Sequence, residues 1–142
     1  GMLVGAPTNT IAHRLLATKG LGEGDFTVRA RVQLTGLANS AAAFVLGENN
    51  FFGFAGGHGK VFVTGPLFGD ARGKAIGDPA DFLANGRPFD FLCTRQGDAL
   101  RILIDGKEAY RQQPFPDGPI PCFGFTPVRA IMGIVSWSHS VL

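Results

Sequence analysis

Short apolar runs in two-residue alternation recur along the chain. A Gly-, Pro- or Asn-rich turn closes each after roughly eight to twelve residues, a punctuation typical of all-β sandwiches. The clearest run spans Asp25 to Leu34, where Phe26, Val28, Ala30, Val32 and Leu34 alternate with Thr27, Arg29, Arg31 and Gln33. Successive strand side chains point to opposite faces, so one face of this segment is buried and the other meets water. Ala41 to Leu46, Asn50 to Ala55 and Lys60 to Thr64 follow as short runs rich in Phe, Val and Ala. Alternation returns at Phe89, Phe91 and Cys93, and again at Leu100, Ile102 and Ile104, which run into Asp105-Gly106 and out through Lys107 to Arg111. Asp-Gly between alternating runs predicts a two-residue type I′ hairpin, whose central positions both need positive φ. Behind a connection carrying Pro114, Pro116, Pro119 and Pro121, the segments Cys122 to Thr126 and Ile131 to Ser138 give two closing strands. No segment holds a capped period of 3.6, so no helix longer than two turns is expected. The predicted fold is all-β, an antiparallel β-sandwich of two packed sheets.

Residues 65–87 break the rhythm. Gly65-Pro66, Gly69-Asp70, Gly73, Asp78-Pro79 and Asn85-Gly86 crowd together there, and only Pro79 to Leu83 could make a helical turn. The sequence predicts one long loop, to be read either as a binding rim or as a passive crossover between sheets.

With 142 residues the chain suits one domain, 1–142, in which Gly1 ahead of Met2 reads as a tag remnant. No signal peptide follows, and a cytoplasmic location is expected if Met2 is the native start. Thirteen Phe stand against one Tyr and one Trp, and Phe offers only apolar area, so most of these rings belong in the core. The net charge is +2 with the cations scattered singly, whereas phosphate binding needs them clustered; no nucleic-acid partner is expected. Apolar runs such as Ser40 to Gly47 are too short to span a bilayer, so no membrane partner is expected either. Cys93 and Cys122 are expected to be independent, reduced thiols.

The stretch Gly24-Asp25-Phe26-Thr27-Val28-Arg29-Ala30-Arg31-Val32 resembles the opening of laminin G-like and concanavalin A-like jelly rolls. The run from Arg95 to Lys107 resembles their strand, turn, strand and Asp-Gly-Lys hairpin, and Gly124-Phe125-Thr126-Pro127 leading to Ile131 and Ile134 resembles their final strands. The resemblance implies a jelly roll of the kind found beside bacterial sialidases and other sugar-active enzymes. Carbohydrate binding is the function it implies.

Retaining glucanases of that class carry Glu-x-Asp-x-x-Glu, with two carboxylates about 5–5.5 Å apart. Here Glu23-Gly24-Asp25 meets Val28 where the third acid belongs, so no complete catalytic carboxylate motif is present and the pair reads as turn residues. Asp78 and Asp81 read as turn or helix-cap residues. No Gly-x-Ser-x-Gly elbow occurs, and Ser136, Ser138, His139 and Ser140 are expected to fray near the C-terminus. Gly56-Gly57-His58-Gly59-Lys60 fails phosphate-loop spacing and leads into a strand. His13, His58 and His139 lack metal spacing. Asp70, Asp78 and Asp81 share the long loop, and related jelly rolls sometimes hold calcium with loop carboxylates, which leaves calcium as the alternative; their spacing does not call for it and they read as solvated turn residues, so no cofactor is expected.

Sugar recognition wants an aromatic face flanked by donors and acceptors. The expected ligand-binding residues are Asn49, Asn50 and His58 in neighbouring turns, Asp70 and Arg72 in the long loop, and Trp137, whose alternative place is the core. The function expected is a non-catalytic, lectin-like module for a glycan or other small polar ligand. Its alternatives are a structural domain that self-associates into a homo-oligomer through an exposed sheet face and, ranked last, a small glycoside hydrolase.

Overall fold

In a computed structural model, residues 3–5, 15–16, 20–35, 41–83, 87–128 and 131–141 are described. They form strands β1 (Leu3–Gly5), β2 (Leu15–Leu16), β3 (Phe26–Thr35), β4 (Ala41–Leu46), β5 (Phe51–Ala55), β6 (Lys60–Gly65), β7 (Ala71–Gly77), β8 (Phe89–Gln96), β9 (Ala99–Ile104), β10 (Lys107–Gln112), β11 (Phe123–Val128) and β12 (Ile131–Val141). Two six-stranded antiparallel sheets result: sheet A in the order β1-β12-β3-β8-β9-β10 and sheet B in the order β2-β11-β4-β5-β6-β7. Their inner faces pack into one sandwich, a jelly roll. No α-helix occurs among the described residues.

Alternation explains the packing. Phe26, Val28, Ala30, Val32 and Leu34 of β3 are buried, and they join Phe89, Phe91 and Cys93 of β8 and Leu100, Ile102 and Ile104 of β9 in the core. Sheet B answers with Ala42, Phe44 and Leu46, Phe52 and Phe54, Val61 and Val63, and Phe123 and Phe125. All thirteen Phe are buried except Phe51, Phe62 and Phe82, which are half-buried. Phe91 of sheet A touches Phe44 and Phe125 of sheet B with ring centroids 4.7 and 5.7 Å apart, tilted and edge-on, as the ring quadrupoles favour. The void around these rings is about 10 Å³, too small for any ligand. A binding site therefore belongs on an outer face or an end.

The Asp105-Gly106 hairpin is as expected, with φ of 50° and 79°. Two other expectations are corrected. Residues 65–87 are not one loop, because Ala71–Gly77 is a strand on the edge of sheet B. Its sequence shows no alternation because an edge strand with irregular register needs no clean buried face, and here the pairing shifts twice. Side chains of β6 hold it in place: Thr64 Oγ1 donates to Ala71 O and accepts from Gly73 N, and Lys60 Nζ donates to Gly73 O. The C-terminal segment does not fray either. Strand β12 pairs with β3 as far as Val141 opposite Phe26, so Ser136, Ser138, His139 and Ser140 lie inside a ladder.

The Pro-rich connection between β10 and β11 crosses one end of the sandwich. Phe115 and Ile120 are buried beneath it, Phe115 N donates to Asp98 O, and Ile120 exchanges backbone bonds with Leu21 and Gly22. Arg95 enters the core below this strap, 3% exposed, with its guanidinium over the Phe115 ring. Its Nε donates to Gly97 O and Nη2 to the exposed Asp117, while Nη1 has no hydrogen-bond partner.

Candidate functional site

In an antiparallel meander successive turns leave opposite ends of the sheet. The β4–β5 turn with Asn49 and Asn50 meets the β6–β7 turn with Asp70, and Arg72 follows at the start of β7. The β5–β6 turn with His58 lies at the other end. The expectation that His58 shares a rim with Asn49 and Asn50 is therefore corrected. Trp137 lies on β12 opposite Ala30, in the other sheet, and its side chain is outside the described set. Asn49, His58, Asp70 and Arg72 are exposed. Asn50 is 8% exposed and its Oδ1 accepts from Leu67 N at 2.8 Å, so it ties two turns together. Asp70 holds φ of 57° in its turn.

The acidic residues are dispersed. Asp78 caps the 3₁₀ turn Pro79–Asp81 by accepting from Ala80 N, and Asp70 stands beyond the opposite end of β7, up to roughly 26 Å away at strand rise. Asp25 accepts from Gly97 N at 2.8 Å.

A different arrangement appears on the outer face of sheet A, where register aligns residues remote in sequence. Ser138 of β12 stands opposite Arg29 of β3, Arg29 opposite Leu92 of β8, and Leu92 opposite Leu103 of β9. Alternation turns these side chains away from the core. In the next row Arg31 stands opposite Asp90 and bonds it at 3.0 Å, both partly solvated. These side chains line an open groove of about 630 Å³ that ends at Gly106. Leu92 and Leu103, both half-buried, give it an apolar floor flanked by guanidinium, carboxylate and hydroxyl groups. Each residue was readable as an outward position; their meeting was not, because it depends on pairing across four strands.

Sheet B presents a contrasting outer face. Ala43 and Val45 alternate with the core residues Phe44 and Leu46, and Gly53 lies beside Ala43 on β5. The Phe62 ring lies so close over Gly53 that an added Cβ would come within 2.9 Å of it. The Lys60 and Thr64 polar groups are engaged with β7, whereas the buried Thr126 Oγ1, in the same row as Ala43 and Gly53, has no hydrogen-bond partner among the described residues.

Fold and site together define a jelly-roll sandwich with a polar groove on one outer face. No protein-family model matches the sequence, and a comparison with curated proteins finds no match. Solved structures do share the fold. The chain is similar to a sialidase at 10% identity and a TM-score of 0.68, covering 99% of this chain and 15% of that one. It is similar to carbohydrate binding module CBM66 from Bacillus subtilis at 14% identity and a TM-score of 0.63, covering 99% and 95% of the two chains. Sheep galectin-11 is similar at 13% identity and a TM-score of 0.63, covering 92% and 100%.

Proposed function

We propose that this chain is a non-catalytic carbohydrate-binding module that lays its sugar along the outer face of sheet A. The observation that carries the reading is the row Ser138, Arg29, Leu92 and Leu103 with the Arg31–Asp90 pair beside it. A pyranose presents C–H patches ringed by hydroxyls, and this surface presents a leucine floor ringed by donors and acceptors. A groove of 630 Å³ falls within the usual size of small-ligand sites, roughly 300–1,000 Å³. The carbohydrate binding module and the galectin among the structural neighbours support the same reading. A non-catalytic role is supported by the carboxylates, since glycoside hydrolysis commonly uses two facing acids, whereas Asp90 is the sole acid among the described residues lining the groove and is paired with Arg31.

A glycan array on the purified domain, followed by calorimetry on its hits, tests this. Leu92→Ser is expected to weaken binding tenfold or more, whereas changing Asp70 and Arg72 together to Ala leaves it unchanged. The reverse pattern would move the site to the rim at the β6–β7 turn. A stable dimer with no glycan signal would replace the reading by self-association.

A further inference from the structure

We infer that the sheet A groove selects anionic sugars, those bearing a carboxylate or sulfate, and that Arg29 is the residue that reads the charge; this rests on the glycan-binding reading above. Three arginines stand on the outward face of the central strands, and two of them already have carboxylate partners. Arg31 bonds Asp90 and Arg101 bonds Glu108, each at 3.0 Å. Arg29 stands between them in the ladder with an exposed side chain and, among the described residues, no acidic partner. Its register neighbours are Ser138 on one side and Leu92 on the other, and neither carries a charge to cancel its own.

The groove thus holds Arg29 and Arg31 against Asp90 alone among the described residues, an excess of one positive charge. A guanidinium presents a fixed fork of N–H donors that matches a carboxylate or sulfate in bidentate geometry, a match that sugar hydroxyls do not reproduce. The Leu92 and Leu103 side chains beside it exclude water from one flank and strengthen that contact. Arg31, two residues along the same face and roughly 7 Å away at strand rise, is braced by Asp90 and keeps donors free for a neighbouring sugar unit.

Three oligosaccharides of equal length test this by calorimetry: an oligogalacturonate, a sulfated oligosaccharide and a neutral β-glucan fragment. At least one anionic probe is expected to bind ten times more tightly than the neutral one, and which one identifies the group read. Raising the salt from 50 to 500 mM is expected to erase much of that preference, because the contact is solvated at its rim. Arg29→Gln is expected to abolish the preference, and Arg29→Lys, which keeps the charge without the fork, to retain part of it. Urea midpoints within error of the parent for both variants show that the fold is intact. Equal binding of all three probes, insensitive to Arg29→Gln, would overturn the inference and leave the glycan-binding reading standing. Binding of none would overturn both.

Discussion

At the scale of single residues, positive φ and burial decide what can be changed. Gly106 sits at φ of 79° in its hairpin, where a β-branched side chain is strained. Gly106→Val is expected to cost about 1–3 kcal/mol, read as a lower midpoint in thermal melts. Arg95 illustrates the opposite case. Its partner Asp117 is fully exposed, so removing the guanidinium strands no buried charge, and it also removes the unpartnered Nη1. Arg95→Met, which keeps the buried stem, is expected to stay within about 1 kcal/mol of the parent or exceed it, whereas Arg95→Ala, which opens a cavity, costs about 2 kcal/mol or more. Equal losses in urea for the two variants would show that the charge itself holds the strap.

At the scale of elements, the turns at the β4–β5 and β6–β7 end depend on one side chain. Asn50→Ala leaves the Leu67 N–H without its acceptor and is expected to cost about 1–3 kcal/mol, while Asn49→Ala stays within about 0.5 kcal/mol. Faster hydrogen exchange at the Leu67 amide in the first variant checks the mechanism. Strands with a buried face were legible because Phe, Val and Ile mark every second position, as in β3, β8 and β9. Strand β7 was not, since Ala-Arg-Gly-Lys-Ala-Ile-Gly carries no such mark and is held by Thr64 and Lys60 from its neighbour. Strands β1 and β2, of three and two residues, are too short to show a period at all. The candidate site was legible only as single outward residues. Arg29, Leu92, Leu103 and Ser138 span most of the sequence, and the ladder that aligns them leaves no local trace. Five of the six residues expected to bind ligand were chosen by chemistry from turns and the long loop, and alternation of turn ends separates His58 from the other four, while Trp137 lies in the other sheet.

At the scale of the whole molecule, stability is linked to pH through Cys93. Complete burial on the inner face of β8 pushes its thiol far above the ordinary value of 9.0, because the thiolate is desolvated there. The unfolded chain therefore loses this proton at lower pH than the folded one. The contribution is fully present below pH 9 and declines above it, by up to about 1.4 kcal/mol per pH unit. Urea midpoints are expected to fall between pH 9 and 10.5 in the parent and to fall less steeply in Cys93→Val, once other groups common to both are subtracted. The half-buried Cys122 is expected to react with a thiol reagent in the folded state, whereas Cys93 waits for unfolding.

The positions of the last two strands carry a consequence for how the molecule is made. Strand β11 lies between β2 and β4, and β12 lies between β1 and β3, so each sheet is split until its final strand arrives. A nascent chain that has released only residues up to 121 from the ribosome has β1 and β2 unpartnered and two incomplete sheets with open inner edges. Completion of both sheets is thereby deferred until their last strands are made, and the inner edges of β3 and β4 stay open until then. Chains arrested at that length are expected to be cleaved rapidly by protease, and those extended until Val141 has cleared the tunnel to resist it.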